Sequence, residues 1–70
     1  MTLTIEIDRE TDGRWIAEVK ELPGVIVYGE TQIAAVNNAA VLSLRVIADK
    51  LEHGELTQPD NVDFVQSRAA

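Results

Sequence analysis

The helical pattern between Thr31 and His53 limits what this 70-residue chain can fold into more than any other feature of its sequence. Thr31 is a suitable N-cap, because a threonine hydroxyl can accept a hydrogen bond from an amide two or three residues further on. Gly54 follows the pattern and suits the left-handed backbone at which helices often end. At about 1.5 Å of rise per residue the predicted helix is roughly 30 Å long. The remaining short segments must therefore pack against this one long element.

Two apolar rows run along the predicted helix. At 100° per residue, the first row lies within about one third of the circumference, and its members are Ile33, Val36, Ala40, Leu44, Ile47 and Leu51. The second row lies on nearly the opposite side and consists of Ala35, Ala39, Leu42 and Val46. We expect the first row to cover a sheet and the second row to contact another chain, because one small sheet cannot cover both. The alternative is that the second row is mildly exposed and has no partner.

The residues before the helix show the patterns of three antiparallel strands. Residues 3–7 alternate apolar and polar side chains, as does a strand with one buried face and one exposed face. Asp12-Gly13 favours a tight hairpin that leads into a second strand. Trp15 begins this strand and is expected to anchor the core. The Pro23-Gly24 turn then directs the chain into a third strand at residues 25–28.

The residues after the helix predict one more short strand. A polar connector that includes Pro59 leads to residues 62–65, whose sequence VDFV suits a strand, and residues 66–70 are expected to fray. The predicted fold is a single α+β domain over residues 1–70. It has the order β-β-β-α-β, with a three-stranded antiparallel sheet, one long helix and a short fourth strand.

Charge and size indicate what the chain binds. Twelve acidic and six basic side chains give a net charge of −6, which repels phosphate backbones and suits a basic protein partner. Solubility alone is an equally good explanation of the charge. A chain this short buries only about 60% of its unfolded surface. Because it has no cysteine for disulfides, we expect a homo-oligomer, either a dimer or a tetramer. With neither a membrane-spanning run nor a leader-like start, the expected compartment is the cytoplasm.

The residue types give little support to catalysis. A ribonuclease H site needs several carboxylates that converge on two divalent metals, and the hairpin offers Glu6, Asp8, Glu18 and Glu21. Glu6 and Glu18 lie on the solvent-exposed faces of neighbouring strands, but Lys20 is close to them. Solvated charges on a hairpin therefore explain the pattern better than a metal site does. His53 is the only histidine and lies at the helix end, where a cation is favoured by the helix dipole. We therefore expect no catalytic residue, no metal and no cofactor.

The order of these motifs resembles the HicB-like antitoxin family. The matching stretches are WIAEV, then ELPGVIVYGET, then the helical segment from Gln32 to Gly54, and finally Pro59. The resemblance covers about residues 3 to 65 and implies a partial ribonuclease H fold. Many full-length relatives append a DNA-binding domain, and this sequence ends before one could begin, so DNA binding is not expected.

The resemblance also implies a function. Relatives bind a small basic mRNA-cleaving toxin and occlude its catalytic histidine, which agrees with the acidic charge of this chain. Glu6 and Glu18 are then the expected toxin-facing acids, and the domain is expected to be non-catalytic. The alternatives are a degenerate ribonuclease H-like or nucleic-acid-binding domain, and a stand-alone oligomeric module with an unknown ligand.

Overall fold

The computed structural model describes residues 1–58 and 61–68, which form four strands and one helix. The elements are β1 (Thr2–Arg9), β2 (Trp15–Val19), β3 (Ile26–Gly29), α1 (Gln32–Glu52) and β4 (Asp63–Arg68). The predicted α+β order β-β-β-α-β is therefore confirmed.

The four strands form one mixed sheet in the order β3-β2-β1-β4. Strand β1 pairs antiparallel with β2, and β2 pairs antiparallel with β3, as predicted. Strand β4 pairs parallel with β1, from Thr2 opposite Asp63 to Ile7 opposite Arg68. A parallel neighbour needs a long crossover connection, and the part of the chain between β1 and β4 supplies it.

Strand β4 is longer than the sequence predicts. Residues 66–68 were expected in a frayed tail, yet they continue the strand to Arg68. The prediction was wrong because the parallel pairing with β1 satisfies backbone groups that the isolated segment leaves open. Pro59 of the predicted connector and the last two residues of the predicted tail lie outside the described residues.

The predicted turn and helix ends are confirmed. Gly24 has φ +93° in the turn before β3, a region that glycine enters without strain. The amide of Ala34 donates a 3.0 Å hydrogen bond to the Thr31 hydroxyl, so Thr31 is the N-cap. The helix ends at Glu52 with His53 as the C-cap.

The two apolar rows of α1 have the opposite roles to those expected. Ala35 and Ala39 are completely buried against the sheet, and Leu42 and Val46 are partly buried against the same core. The other row is divided: Ile33 is 74% exposed and Leu44 is 49% exposed, whereas Ile47 is buried and Val36 packs partly against the core. The predicted contact with another chain through Ala35, Ala39, Leu42 and Val46 is therefore wrong, because the sheet already covers these residues.

The close approach of β3 to α1 explains this rotation of the helix. A side-chain carbon at Gly29 would overlap the backbone of Ala34 and Ala35. Only two residues separate β3 from α1, so the first helical turn must lie directly against the end of the strand. Next to Gly29 there is room only for small side chains, and Ala35 faces the sheet there, whereas larger residues such as Leu42 and Ile47 reach the core further along the helix. Hydropathy alone does not encode that distance, which is why the row of larger residues was assigned to the sheet.

The core lies between α1 and one face of the sheet. It includes Leu3, Ile5 and Ile7 of β1 and Ala17 and Val19 of β2. Trp15 is half-buried at the edge of this core rather than enclosed in it. The guanidinium groups of Arg9 and Arg68 lie 5.6 and 5.8 Å from the centre of its ring. The Trp15 ring therefore packs on the core with one side and meets cations with another.

We predict that Gly29→Ala destabilises the fold by about 1–3 kcal/mol, because the added carbon forces the helix away from a packed sheet. Urea unfolding at neutral pH measures the change. The control is Glu30→Ala at the next, exposed position, which should change stability by less than about 0.5 kcal/mol. An unchanged unfolding midpoint for Gly29→Ala would contradict the close approach.

Ser43 gives a second stability prediction. Its hydroxyl is completely buried on the sheet side of α1 and has no hydrogen-bond partner among the described residues. A buried unsatisfied polar group costs about 1–3 kcal/mol, so Ser43→Ala should raise the free energy of unfolding by about 1 kcal/mol. Ala39→Ser introduces a hydroxyl one turn earlier and should lower it. A loss of stability in Ser43→Ala would show that the hydroxyl has a partner in solution.

Candidate functional site

One face of the sheet carries the residues that the sequence analysis proposed for partner binding. Successive side chains of a strand point to opposite faces, and α1 covers only the face that carries Leu3, Ile5 and Ile7. We call the other surface the open face. By strand register it consists of Thr2, Thr4, Glu6, Asp8, Ile16, Glu18, Ile26, Tyr28, Asp63, Val65 and Ser67.

Two acidic residues are cross-strand neighbours at the centre of the open face. Glu6 lies directly opposite Glu18 in the antiparallel pair of β1 and β2. Like charges directly opposite each other destabilise a sheet. The Lys20 Nζ atom lies 3.3 Å from Glu6 Oε2 and offsets part of this repulsion. The structure therefore brings the two predicted acids together, with a single close ammonium group beside Glu6.

Apolar side chains lie around this acidic pair. Ile26 is opposite Glu18 in β3 and is 49% exposed, and Tyr28 is opposite Ile16 and is also exposed. Val65 of β4 is exposed on the other side of the pair. Aromatic side chains such as Tyr28 are enriched at protein-binding surfaces.

Sequence reasoning missed these apolar members of the open face. The run of residues 25–28 is entirely apolar and was interpreted as a strand buried on parts of both faces. In the structure Val25 is buried and Ile26 and Tyr28 face outward. The signal that a neighbour covers only one face of β3 is not in the local sequence, because it depends on the placement of α1.

Arg14 holds the ring of Tyr28 at the edge of the open face. Its guanidinium lies 4.4 Å from the centre of the Tyr28 ring. The same side chain donates from Nε to Asp12 at 2.8 Å, and the Arg14 amide donates to the other carboxylate oxygen at 3.0 Å. These hydrogen bonds, that of the backbone amide first, lower the pKa of Asp12 below its ordinary value. Asp12, Arg14 and Tyr28 thus form a connected group at this edge.

Glu21 ties the end of β2 to the open face. Its carboxylate accepts hydrogen bonds from the Thr4 amide at 2.7 Å and from the Thr4 hydroxyl at 2.9 Å. These two donors lower the pKa of the Glu21 carboxyl, the amide contributing more. Glu21 is therefore engaged in structure rather than free to hold a ligand.

The other candidate groups lie away from the open face. His53 Nδ1 is 2.8 Å from the carbonyl oxygen of Asp49, at the C-terminal end of α1. Among residues 1–58 and 61–68, no three histidine, cysteine, aspartate or glutamate side chains are arranged to hold a metal ion. No helix in this part of the chain is long and apolar enough to cross a bilayer.

A shallow depression lies on the opposite side of the molecule, between the start of α1 and β4. Its volume is about 170 Å³, and its lining residues are Gln32, Ile33, Val36, Asn37 and Gln66. Pockets for small ligands usually measure about 300–1,000 Å³. The depression is too small for such a ligand and contains none of the predicted site residues.

Comparisons with protein-family models, with curated proteins and with solved structures find no match to this chain. The function must therefore be argued from the open face itself.

We predict that Glu21 contributes to stability only where its carboxylate is ionised. Its pKa is lowered from 4.5 in the folded state, so its contribution is present above that value and is lost as the pH falls through the folded pKa. Urea unfolding should show Glu21→Gln less stable than the parent at pH 7, and the difference should shrink towards pH 3. A difference that stays constant with pH would mean that the Thr4 hydrogen bonds do not depend on the charge.

Proposed function

We propose that this chain is a non-catalytic, HicB-like antitoxin domain that binds a small basic mRNA-cleaving toxin through the open face. The observation that carries the proposal is the pair Glu6 and Glu18 at the centre of an uncovered sheet surface. An encounter with an mRNA-cleaving protein is expected in the cytoplasm, where its substrate is located.

The acidic pair suits a cationic partner on energetic grounds. Glu6 and Glu18 repel each other in the free domain, and one lysine offsets only part of the repulsion. A basic side chain from a partner that approaches between them would relieve this repulsion and also gain direct attraction. The net charge of −6 adds long-range attraction that steers a basic protein towards the domain.

The apolar residues around the pair add contact area. Ile26, Tyr28 and Val65 are all exposed on the open face, and the ring of Tyr28 is already held by Arg14. An aromatic group that is ordered before binding loses little freedom when the complex forms. The combination of ordered apolar contacts with a central acidic pair favours a protein partner over a nucleic acid, whose phosphates the acids repel.

The HicB-like assignment is supported by the order of the elements and their turns. Three strands, a Pro23-Gly24 turn, a long helix capped by Thr31 and a final strand occur in the order of that family. The implied mode of inhibition is occlusion, in which the sheet covers the catalytic histidine of the toxin and keeps mRNA out. A non-catalytic role agrees with the engagement of Glu6 by Lys20 and of Glu21 by Thr4.

We predict that the domain binds the short basic protein encoded by the adjacent open reading frame and stops its cleavage of RNA. Replacement of both Glu6 and Glu18 by glutamine should weaken binding about tenfold at low salt, and the effect should shrink as salt rises. Calorimetric titration at two salt concentrations measures the change. The fold should be retained, because the substitution removes repulsion.

The control variant carries Glu52→Gln and Glu55→Gln, which remove the same total charge away from the open face. It should retain nearly full affinity. Mg²⁺-dependent RNA cleavage by the parent domain that is lost in the Glu6 and Glu18 variant would instead establish the nuclease alternative. An adjacent basic protein that neither binds nor is inhibited would refute the antitoxin function.

A further inference from the structure

The solvent-facing side of α1 carries an apolar row that the monomer leaves uncovered. We call it the outer seam, and its members are Ala34, Asn37, Val41, Leu44, Ala48 and Leu51. Val41 and Leu44 are each about half exposed, and Leu51 is also exposed. The outer seam lies on the opposite side of the helix from Ala35 and Ala39, which are completely buried. Val41, Leu44 and Leu51 therefore lie outside the core of their own domain.

The spacing of the outer seam is that of a helix that pairs with another helix. Its members are separated by three and four residues in strict alternation along the whole helix. This spacing keeps the side chains of two helices in contact through successive turns, as in coiled coils. One polar residue, Asn37, interrupts the apolar row, and a polar residue in such a row fixes the register of the pair.

The distribution of charge favours a second copy of this chain as the occupant. Helix α1 contains two acidic and two basic side chains, namely Asp49, Glu52, Arg45 and Lys50, and its net charge is zero. The whole net charge of −6 is therefore carried by the rest of the chain. Two identical acidic domains repel each other least when they meet through their neutral helices. A basic protein would gain little from this surface and gains most on the open face.

We infer that the outer seam forms a homodimer in which two copies of α1 pack antiparallel. With the centre of symmetry between Val41 and Leu44, these two residues face each other across the interface. Ala34 of one copy then lies opposite Leu51 of the other, and Asn37 lies opposite Ala48. Each small residue faces a larger one in this register, which allows the helices to approach closely along their full length.

The residues on the two sides of the seam select the antiparallel arrangement. One flank is polar and carries Asn38, Arg45 and Glu52, whereas the other is apolar and carries Ile33 and Ala40. Antiparallel helices bring like flanks together, so polar groups meet polar groups and apolar groups meet apolar groups. Parallel helices would press Arg45 and Glu52 against the apolar flank and remove them from water without a partner.

The size of the contact indicates a reversible dimer. Stable interfaces bury about 1,200–2,000 Å² in total, and here a single pair of helices roughly 30 Å long supplies the whole contact. We therefore expect the monomer and dimer to exchange, with a dissociation constant in the micromolar range.

Sedimentation equilibrium of the parent chain and of two matched variants tests the surface. Leu44 and Ile26 are equally exposed, at 49% each, and lie on opposite sides of the molecule. Leu44→Glu should raise the dissociation constant of the dimer at least tenfold, and Ile26→Glu should leave it nearly unchanged. A parent chain that is monomeric at 500 µM, or an equal effect of the two substitutions, would overturn the inference.

Cysteine cross-linking tests the register and direction, and the parent sequence contains no cysteine to interfere. Ala34→Cys and Leu51→Cys are purified separately, mixed and oxidised. The antiparallel register predicts a disulfide dimer between the two different variants and little cross-linking of either variant alone. Cross-linking of each variant with itself, without a disulfide between the two different variants in the mixture, would show that the helices are parallel and would refute the proposed register.

Discussion

The close packing of the Gly29 backbone against the first turn of α1 fixes the rest of the molecule. Only two residues connect β3 to α1. This short connection restricts rotation of the helix about its own axis. Small residues therefore face the sheet at Ala35, Ala39 and Ser43. The larger residues Ile33 and Leu44 are left on the solvent side. One local contact thus decides which surfaces the domain can present to other molecules.

The same contact leaves the sheet covered on one side only. Helix α1 packs mainly on β3 and β2 and less on β1, and the opposite face of all four strands is without a covering element among the described residues. Acids on a covered sheet face would be costly, because a buried charge needs a partner. On the open face Glu6 and Glu18 keep contact with water and remain tolerable. Their mutual repulsion is a local conflict in the sequence, and such conflicts are expected where a surface serves binding rather than stability.

Much of the fold could be predicted from the sequence because its determinants are local. The Thr31 cap, the Pro23-Gly24 turn and the alternation in β1 each act within a few residues, and all three are found as predicted. The proximity of Glu6 and Glu18 also followed from hairpin register. The helix rotation did not, because both rows of α1 are apolar and only the distance at Gly29 distinguishes them. Similarly, the extension of β4 to Arg68 depends on pairing with a strand more than fifty residues earlier.

The distribution of large side chains on α1 helps to explain why this small domain exposes both the open face and the outer seam. Three of the four fully buried helix residues are alanine or serine, and these side chains bury little apolar area, so they supply less stabilisation than leucines would. Its leucines at positions 44 and 51 can contribute only when something else covers them. A second copy on the outer seam would provide that cover at the neutral side of each domain. Because α1 lies on one side of the sheet and the acidic pair on the other, such a dimer leaves both open faces accessible. Self-association and binding of a basic partner would therefore not compete, and each dimer would have room for two partner molecules.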